Sequence, residues 1–153
     1  MKNNSIIHPP HIQAELGQLL LRLADDVIDA VNDSLEQCHI SESKLNLLLI
    51  LTSNNTSSIP LQPSEIAKRL GIRRSSVTKQ LVWLEKHQFI ARTISQEDQR
   101  MVNVNITAKG YQLLNQAMPL YWQTCSSFSN NLTYQEALQL FALLKKIKRA
   151  IPD

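Results

Sequence analysis

The stretch from Pro63 to Ile106 constrains the fold of this chain more than any other, because its hydrophobic period changes there from about 3.6 to about 2. Pro63 suits the first turn of a helix, where its missing N–H has no partner to lose, and Glu65 puts negative charge at the positive end of the helix dipole. The spacing predicts a short helix ending at Leu70, followed by Gly71, which is free to take a positive φ. A second helical pattern, Val77, Leu81 and Leu84, begins within a few residues. Two helices joined by a tight glycine-containing turn form a helix-turn-helix. Phe89, Ile90, Thr93 and Ile94, a polar turn, and then Met101, Val102, Val104 and Ile106 predict a β-hairpin.

The flanks are helical. From Ile12 to about Gln37, Leu16, Leu20, Leu23, Val27, Val31 and Leu35 recur every three or four residues, while Arg22, Asp25, Asp26, Asp29, Asp33 and Glu36 fall elsewhere. Leu19, Leu21 and Ile28 widen the apolar stripe beyond the needs of one small domain, so part of it is available to a second subunit. Ser41 is the expected N-cap of a helix carrying Leu45, Leu48 and Leu49 and ending near Ser53. The run Asn54, Asn55, Thr56, Ser57, Ser58 reads as a surface loop, and Ile59, Pro60 and Leu61 as a very short extended segment. Thr107 caps a long helix through Leu113, Leu114, Met118, Tyr121 and Trp122, in which Pro119 is expected to cause a kink or break. Thr133 with Glu136 forms a capping box for a last helix with Leu138, Phe141, Leu144 and Ile147 on one side. The expected fold class is mostly α with a small β-hairpin wing, a winged helix-turn-helix between N- and C-terminal helices.

Composition removes several function classes. A chain of 153 residues that is 43% hydrophobic can bury a core, so disorder throughout is excluded. No apolar run approaches the roughly 18 to 20 residues that span a bilayer, and the first ten residues lack a signal peptide's apolar stretch, so the expected location is cytoplasmic, off the membrane. Cys38 and Cys125 are the only cysteines and are expected to be reduced and structural. They and His8, His11, His39 and His87 lack metal-ligand spacing, so no metal is expected. A Gly-rich phosphate loop, a nucleophile elbow and a catalytic carboxylate pair are all missing, so the chain is not expected to be an enzyme.

Charge is uneven. Between Pro63 and Gly110 nine Lys and Arg face four Asp and Glu, whereas the rest of the chain has seven against nine. A basic centre suits phosphate neutralisation, and on charge alone it equally suits a solvated face. At about 100° per residue, with Val77 set at zero, Leu81 and Leu84 stay on the core side while Ser75, Lys79, Val82 and Lys86 gather on the opposite side. That far face is the expected major-groove face. Ser75, Ser76, Thr78 and Lys79 offer hydrogen-bonding groups at its leading end, Arg73 and Arg74 stand where phosphates would pass, and Lys86 closes the row. Gln80 lies nearer the core edge. Arg92 adds a cation on the first strand. In the loop Ser95 to Arg100, Arg100 suits the narrow minor groove and Asp98 can hold its guanidinium.

Pro63 to Ile72, Ser75-Ser76-Val77-Thr78 to Leu84-Glu85-Lys86, Glu97-Asp98-Gln99-Arg100 and Ile106-Thr107-Ala108-Lys109-Gly110 together resemble the MarR family of bacterial regulators. The resemblance implies one domain over 1–153, with 12–37 and 108–150 forming a helical dimerisation region and 41–107 a DNA-binding lobe. It implies a homodimer that reads a near-palindromic site in double-stranded DNA, usually as a repressor, and frequently a small aromatic or phenolic effector bound between the two regions. Three positions depart from the family pattern. Arg73 replaces a small polar cap, Gln88 replaces a glycine and so faces a positive φ at about 1 kcal/mol, and Trp83 replaces a commonly charged residue. Trp83 is expected to pack toward the first or fifth helix, as core or as the wall of a ligand pocket. The other reading of the lobe is an adaptor whose exposed helix docks on an acidic protein.

Overall fold

The computed structural model describes residues 12–54, 61–94 and 102–150. In chain order it comprises α1 (Ile12–Leu35), a 3-10 turn (Glu36–Cys38), α2 (Glu42–Asn54), α3 (Pro63–Leu70), α4 (Arg74–Lys86), β1 (Ile90–Ile94), β2 (Val102–Ile106), α5 (Ala108–Ser127) and α6 (Tyr134–Ala150). The two strands pair antiparallel, with Ile90 opposite Ile106 and Ile94 opposite Val102. The polar run after Asn54, the extended residues Ile59 and Pro60, and the wing loop with Asp98 and Arg100 lie outside the described residues.

The core fills the space between the C-terminal end of α1, helices α2, α3 and α4, the foot of β1 and the first half of α5. Leu35, Leu45, Leu48, Ile66, Val77, Leu84 and Ile90 are fully buried in it. Each such side chain stabilises the fold by roughly 1.5–3 kcal/mol relative to exposure. Val77, Leu81 and Leu84 are the positions the helical period assigned to the core, and all three are buried. The N-terminal half of α1 is different. Leu16, Leu19, Leu21 and Leu23 remain exposed, and no residue of α6 is buried.

Local chemistry sets the boundaries. The 3-10 turn ends at His39, which adopts φ 53° and returns its N–H to the Glu36 carbonyl at 2.9 Å. The next helix is capped differently from the sequence expectation. Ser41 supplies the first carbonyl, accepting from Leu45 N–H at 3.0 Å, but its hydroxyl meets Ser43 Oγ and Lys44 Nζ. The orphan N–H of Glu42 donates instead to Asn32 Oδ1 of α1 at 2.9 Å, a tertiary cap that locks α2 to α1.

Pro119 does not break α5, which runs unbroken from Ala108 to Ser127. Pro119 is itself exposed while Ala117 is fully buried, so packing holds the helix and the carbonyl left without a donor, that of exposed Asn115, can be hydrated. At α6 the capping box forms as expected: Thr133 N–H donates to Glu136 Oε2 at 2.8 Å, and Glu136 N–H donates to Thr133 Oγ1 at 3.3 Å. The bond from Thr133 N–H, and then that from Thr133 Oγ1, which donates to Glu136 Oε2 at 2.7 Å, favour the charged form and hold the Glu136 carboxyl below its usual range. Among the described residues no helix is long and apolar enough to cross a membrane.

Candidate nucleic-acid interface

The turn between α3 and α4 is built from the backbone. Gly71 takes φ 65°, its N–H reaches the Lys68 carbonyl at 3.2 Å, and Ile72 N–H reaches the Ala67 carbonyl at 3.0 Å. This is a Schellman end, which stops α3 and sends the chain into α4 after three residues. Arg73 occupies the N-cap position of α4 with extended φ and ψ and no side-chain cap bond. Its carbonyl accepts from Val77 N–H at 3.2 Å, so the helix starts without a polar cap and its leading N–H groups stay free of an internal anion.

The C-terminal end of α4 repeats the same device with a different residue. Gln88 takes φ 63°, its N–H donates to the Glu85 carbonyl and Phe89 N–H donates to the Leu84 carbonyl, each at 2.9 Å. The absence of glycine therefore changed the energy of this turn and not its geometry. Thr107, just before α5, grips it from the other side. Thr107 Oγ1 donates to the Gln88 carbonyl at 2.6 Å and accepts from Gly110 N–H at 3.1 Å, while Thr107 N–H donates to the Phe89 carbonyl at 3.1 Å. The Thr-x-x-Gly spacing thus ties the exit of α4, the foot of the wing and the start of α5 into one unit.

Arg73 at the N-cap and Arg74, Ser75, Thr78, Lys79 and Lys86 on α4 are exposed, and Ser76 is half-buried. Thr78 Oγ1 donates to the Arg74 carbonyl at 3.1 Å, which leaves its lone pairs to accept from a ligand. Ser75, Lys79 and Lys86 share the face opposite the buried Val77, Leu81 and Leu84. The arrangement is a polar, cationic ridge held rigidly by an apolar underside.

Arg92 stands apart from this ridge. Its Nε lies 3.1 Å from Glu85 Oε2, close enough for an ion pair though not aligned as a hydrogen bond, and the side chain is half-buried. The pair braces β1 against α4, a contact worth about 0–1 kcal/mol when partly solvated. Sequence reasoning missed Glu85 as its partner, since seven positions of chain and a turn separate them.

Trp83 corrects another expectation. Its ring faces α2 and the α4–β1 corner, not the first or fifth helix. It stacks on His87 at 3.9 Å between centroids, Lys44 Nζ of α2 sits 4.8 Å from its centroid, and the far face of the corner continues through Phe89 to Lys109 Nζ at 5.2 Å. His87 Nδ1 is 2.8 Å from the Trp83 carbonyl, which fixes the imidazole against the indole. The reason is rotational: Trp83 lies about 120° from the core line on the side where α2 packs. A separate cleft of about 430 Å³ lies at the α1–α2 junction, lined by Asn32, Asp33, Glu36, His39, Ile40 and Ser41.

Residues 40–102 match the family model described as the MarR family. The chain is 28% identical over 138 residues to the transcriptional repressor MprA of Escherichia coli strain K12, covering 90% of this chain and 77% of that one. It is 30% identical over 141 residues to the HTH-type transcriptional regulator PapX of Escherichia coli, covering 90% and 83% respectively. Among solved structures, the Staphylococcus aureus MepR–DNA complex superposes with a TM-score of 0.80 at 22% identity, over 88% of this chain and 97% of that one.

Proposed function

The chain belongs to the MarR family of transcriptional regulators, and from that premise we propose that it acts as a homodimeric repressor reading a near-palindromic operator. One observation carries the DNA-reading part: the exposed face of α4 presents Ser75, Lys79 and Lys86 in a row, with Arg73 and Arg74 at its leading end. A helix of this kind fits the major groove, where Ser75, Ser76 and Thr78 reach base edges and the cations reach phosphates. In the wing loop, the sequence assigns Arg100 to the neighbouring minor groove, with Asp98 at a spacing that suits its guanidinium. Arg92 contributes by holding the wing to α4 through Glu85, and it reaches a phosphate only by exchanging that partner. Repression is supported by the likeness to the transcriptional repressor MprA, and DNA as the partner by the likeness to MepR in its DNA complex.

The dimer rests on unpaired apolar surface. Leu19 is 52% exposed, Leu21 71%, Phe141 58% and Leu143 59%, all on the two terminal helices. Apolar area of this extent marks an interface, so 12–37 and 108–150 form the dimerisation region and 41–107 the DNA-binding lobe of a single domain. A small aromatic effector would bind between them, in the α1–α2 cleft. Asp33 and Glu36 on its rim favour a neutral phenol over a carboxylate there.

The test is a footprint on the DNA upstream of the chain's own gene, with duplex selection from a random pool and a mass measurement in solution. A protected near-palindrome bound by a particle of twice 17.4 kDa is the expected result. An adaptor for acidic proteins would bind all duplexes alike, and sequence-independent affinity would overturn the operator reading.

A further inference from the structure

Among the described residues, the exposed large apolar side chains lie on α1, α5, α6 and the link before α6, with one exception, Val82 of α4. Val82 is 54% exposed. Its neighbours Leu81 and Leu84 are buried, so the helix turns Val82 away from the core by rotation alone. Packing therefore does not account for a valine here. Helix propensity does not either, since valine is a poorer helix former than alanine or the charged residues usual on a solvated face.

The surroundings identify what an apolar group at this position can meet. Val82 lies on the line of Ser75, Lys79 and Lys86, three residues past one lysine and four before the other. A protein partner with an apolar pocket would have to bury both ammonium groups around it. The major groove offers phosphates to the lysines and, among all base edges, one apolar group: the C5 methyl of thymine. Along the helix axis Val82 is about 10 Å from Ser75 at ~1.5 Å per residue, the length of roughly three base-pair steps of ~3.4 Å.

We propose that Val82 is a specificity-determining residue that reads a thymine methyl, about three base pairs from the base met by Ser75. The proposal rests on the operator-reading function above and names one of its recognition elements. Valine is matched to this task because its two methyl groups form a rigid apolar surface with one favoured rotamer in a helix.

The experiment starts from the duplex that the wild-type protein enriches from a random pool, in which each thymine is then replaced singly by deoxyuridine. One replaced thymine in each half-site is expected to weaken wild-type binding by roughly fourfold, the value of one buried methyl group. Val82→Ala, which keeps the helix because alanine is the better helix former, is expected to bind the original duplex weaker by roughly the square of that factor, because both subunits lose the contact, and to be indifferent to that replacement. Undiminished sensitivity to the missing methyl in Val82→Ala would overturn the assignment, as would a wild-type protein indifferent to every replacement. Failure of any sequence to enrich would overturn the operator reading as well, which separates the two failures.

Discussion

Gly110 of α5 lies directly against Phe89 at the foot of β1: a Cβ added at Gly110 would fall 2.2 Å from the Phe89 carbonyl oxygen and 2.7 Å from Ile106 Cγ2. That carbonyl is not free to move, because it also accepts from Thr107 N–H. The glycine of the Thr-x-x-Gly spacing is therefore required by close approach of two backbones. Its φ is unremarkable, so conformational freedom is not the reason.

Gly110→Ala provides a sharp test, since two effects oppose each other. Alanine in a helix is favoured over glycine by about 1 kcal/mol, whereas the overlap with Phe89 costs roughly 1–3 kcal/mol or more. Net destabilisation in urea unfolding at fixed protein concentration is expected. A more stable variant would mean that α5 can move off the wing without cost.

Gln88→Gly should act in the opposite direction. A non-glycine residue in the left-handed region costs about 1–2 kcal/mol, and glycine returns roughly 0.5–1 of that through its unfolded-state entropy. A gain of about 0.5–1 kcal/mol in unfolding free energy is expected, with Gln88→Ala giving none, because the Thr107 contact is made to the backbone carbonyl and survives both changes.

Glu136 makes the C-terminal helix sensitive to acid. Its carboxyl is held below the usual range by the backbone and then the side-chain bonds from Thr133. A lowered folded-state value means stability that is fully present above the unfolded value and lost as pH falls through the folded one. The melting temperatures of wild type and Glu136→Ala should therefore differ near neutrality and converge in acid, once the carboxyl is protonated in the folded protein as well. A difference constant with pH would show that the capping box does not depend on the carboxylate.

Two cations are expected to behave differently on DNA. Lys79→Ala should weaken binding to all duplexes alike and reduce the slope of log affinity against log salt by about 1, as the loss of one phosphate contact requires. Loss of discrimination between operator and random duplex would instead make Lys79 a base reader. Arg100→Ala should lower operator affinity while leaving the dimer folded, and unchanged affinity in a titration would remove the wing from the interface.

Much of this architecture was legible because it is local. Pro63 to Gly71 specify a short helix and its left-handed end through Pro φ, dipole charge and glycine freedom, all properties of neighbouring residues. Val77, Leu81 and Leu84 mark the buried side of α4, and the switch to period 2 marks the hairpin. Thr133 and Glu136 form their box across three residues. The sequence thereby determined the order of elements and which face of α4 turns outward.

Tertiary structure decided what depends on residues far apart in the chain. Glu42 is capped by Asn32 from another helix and not by Ser41, because α1 and α2 cross there. Pro119 stays within a continuous α5, since packing around Ala117 outweighs one missing hydrogen bond. Trp83 faces Lys44 of α2, and Arg92 is drawn to Glu85, because helix packing set those directions. Periodicity tells which side of an element is apolar. Only the packed chain tells which neighbour meets that side, because contact is a property of position in space and not of spacing along the sequence.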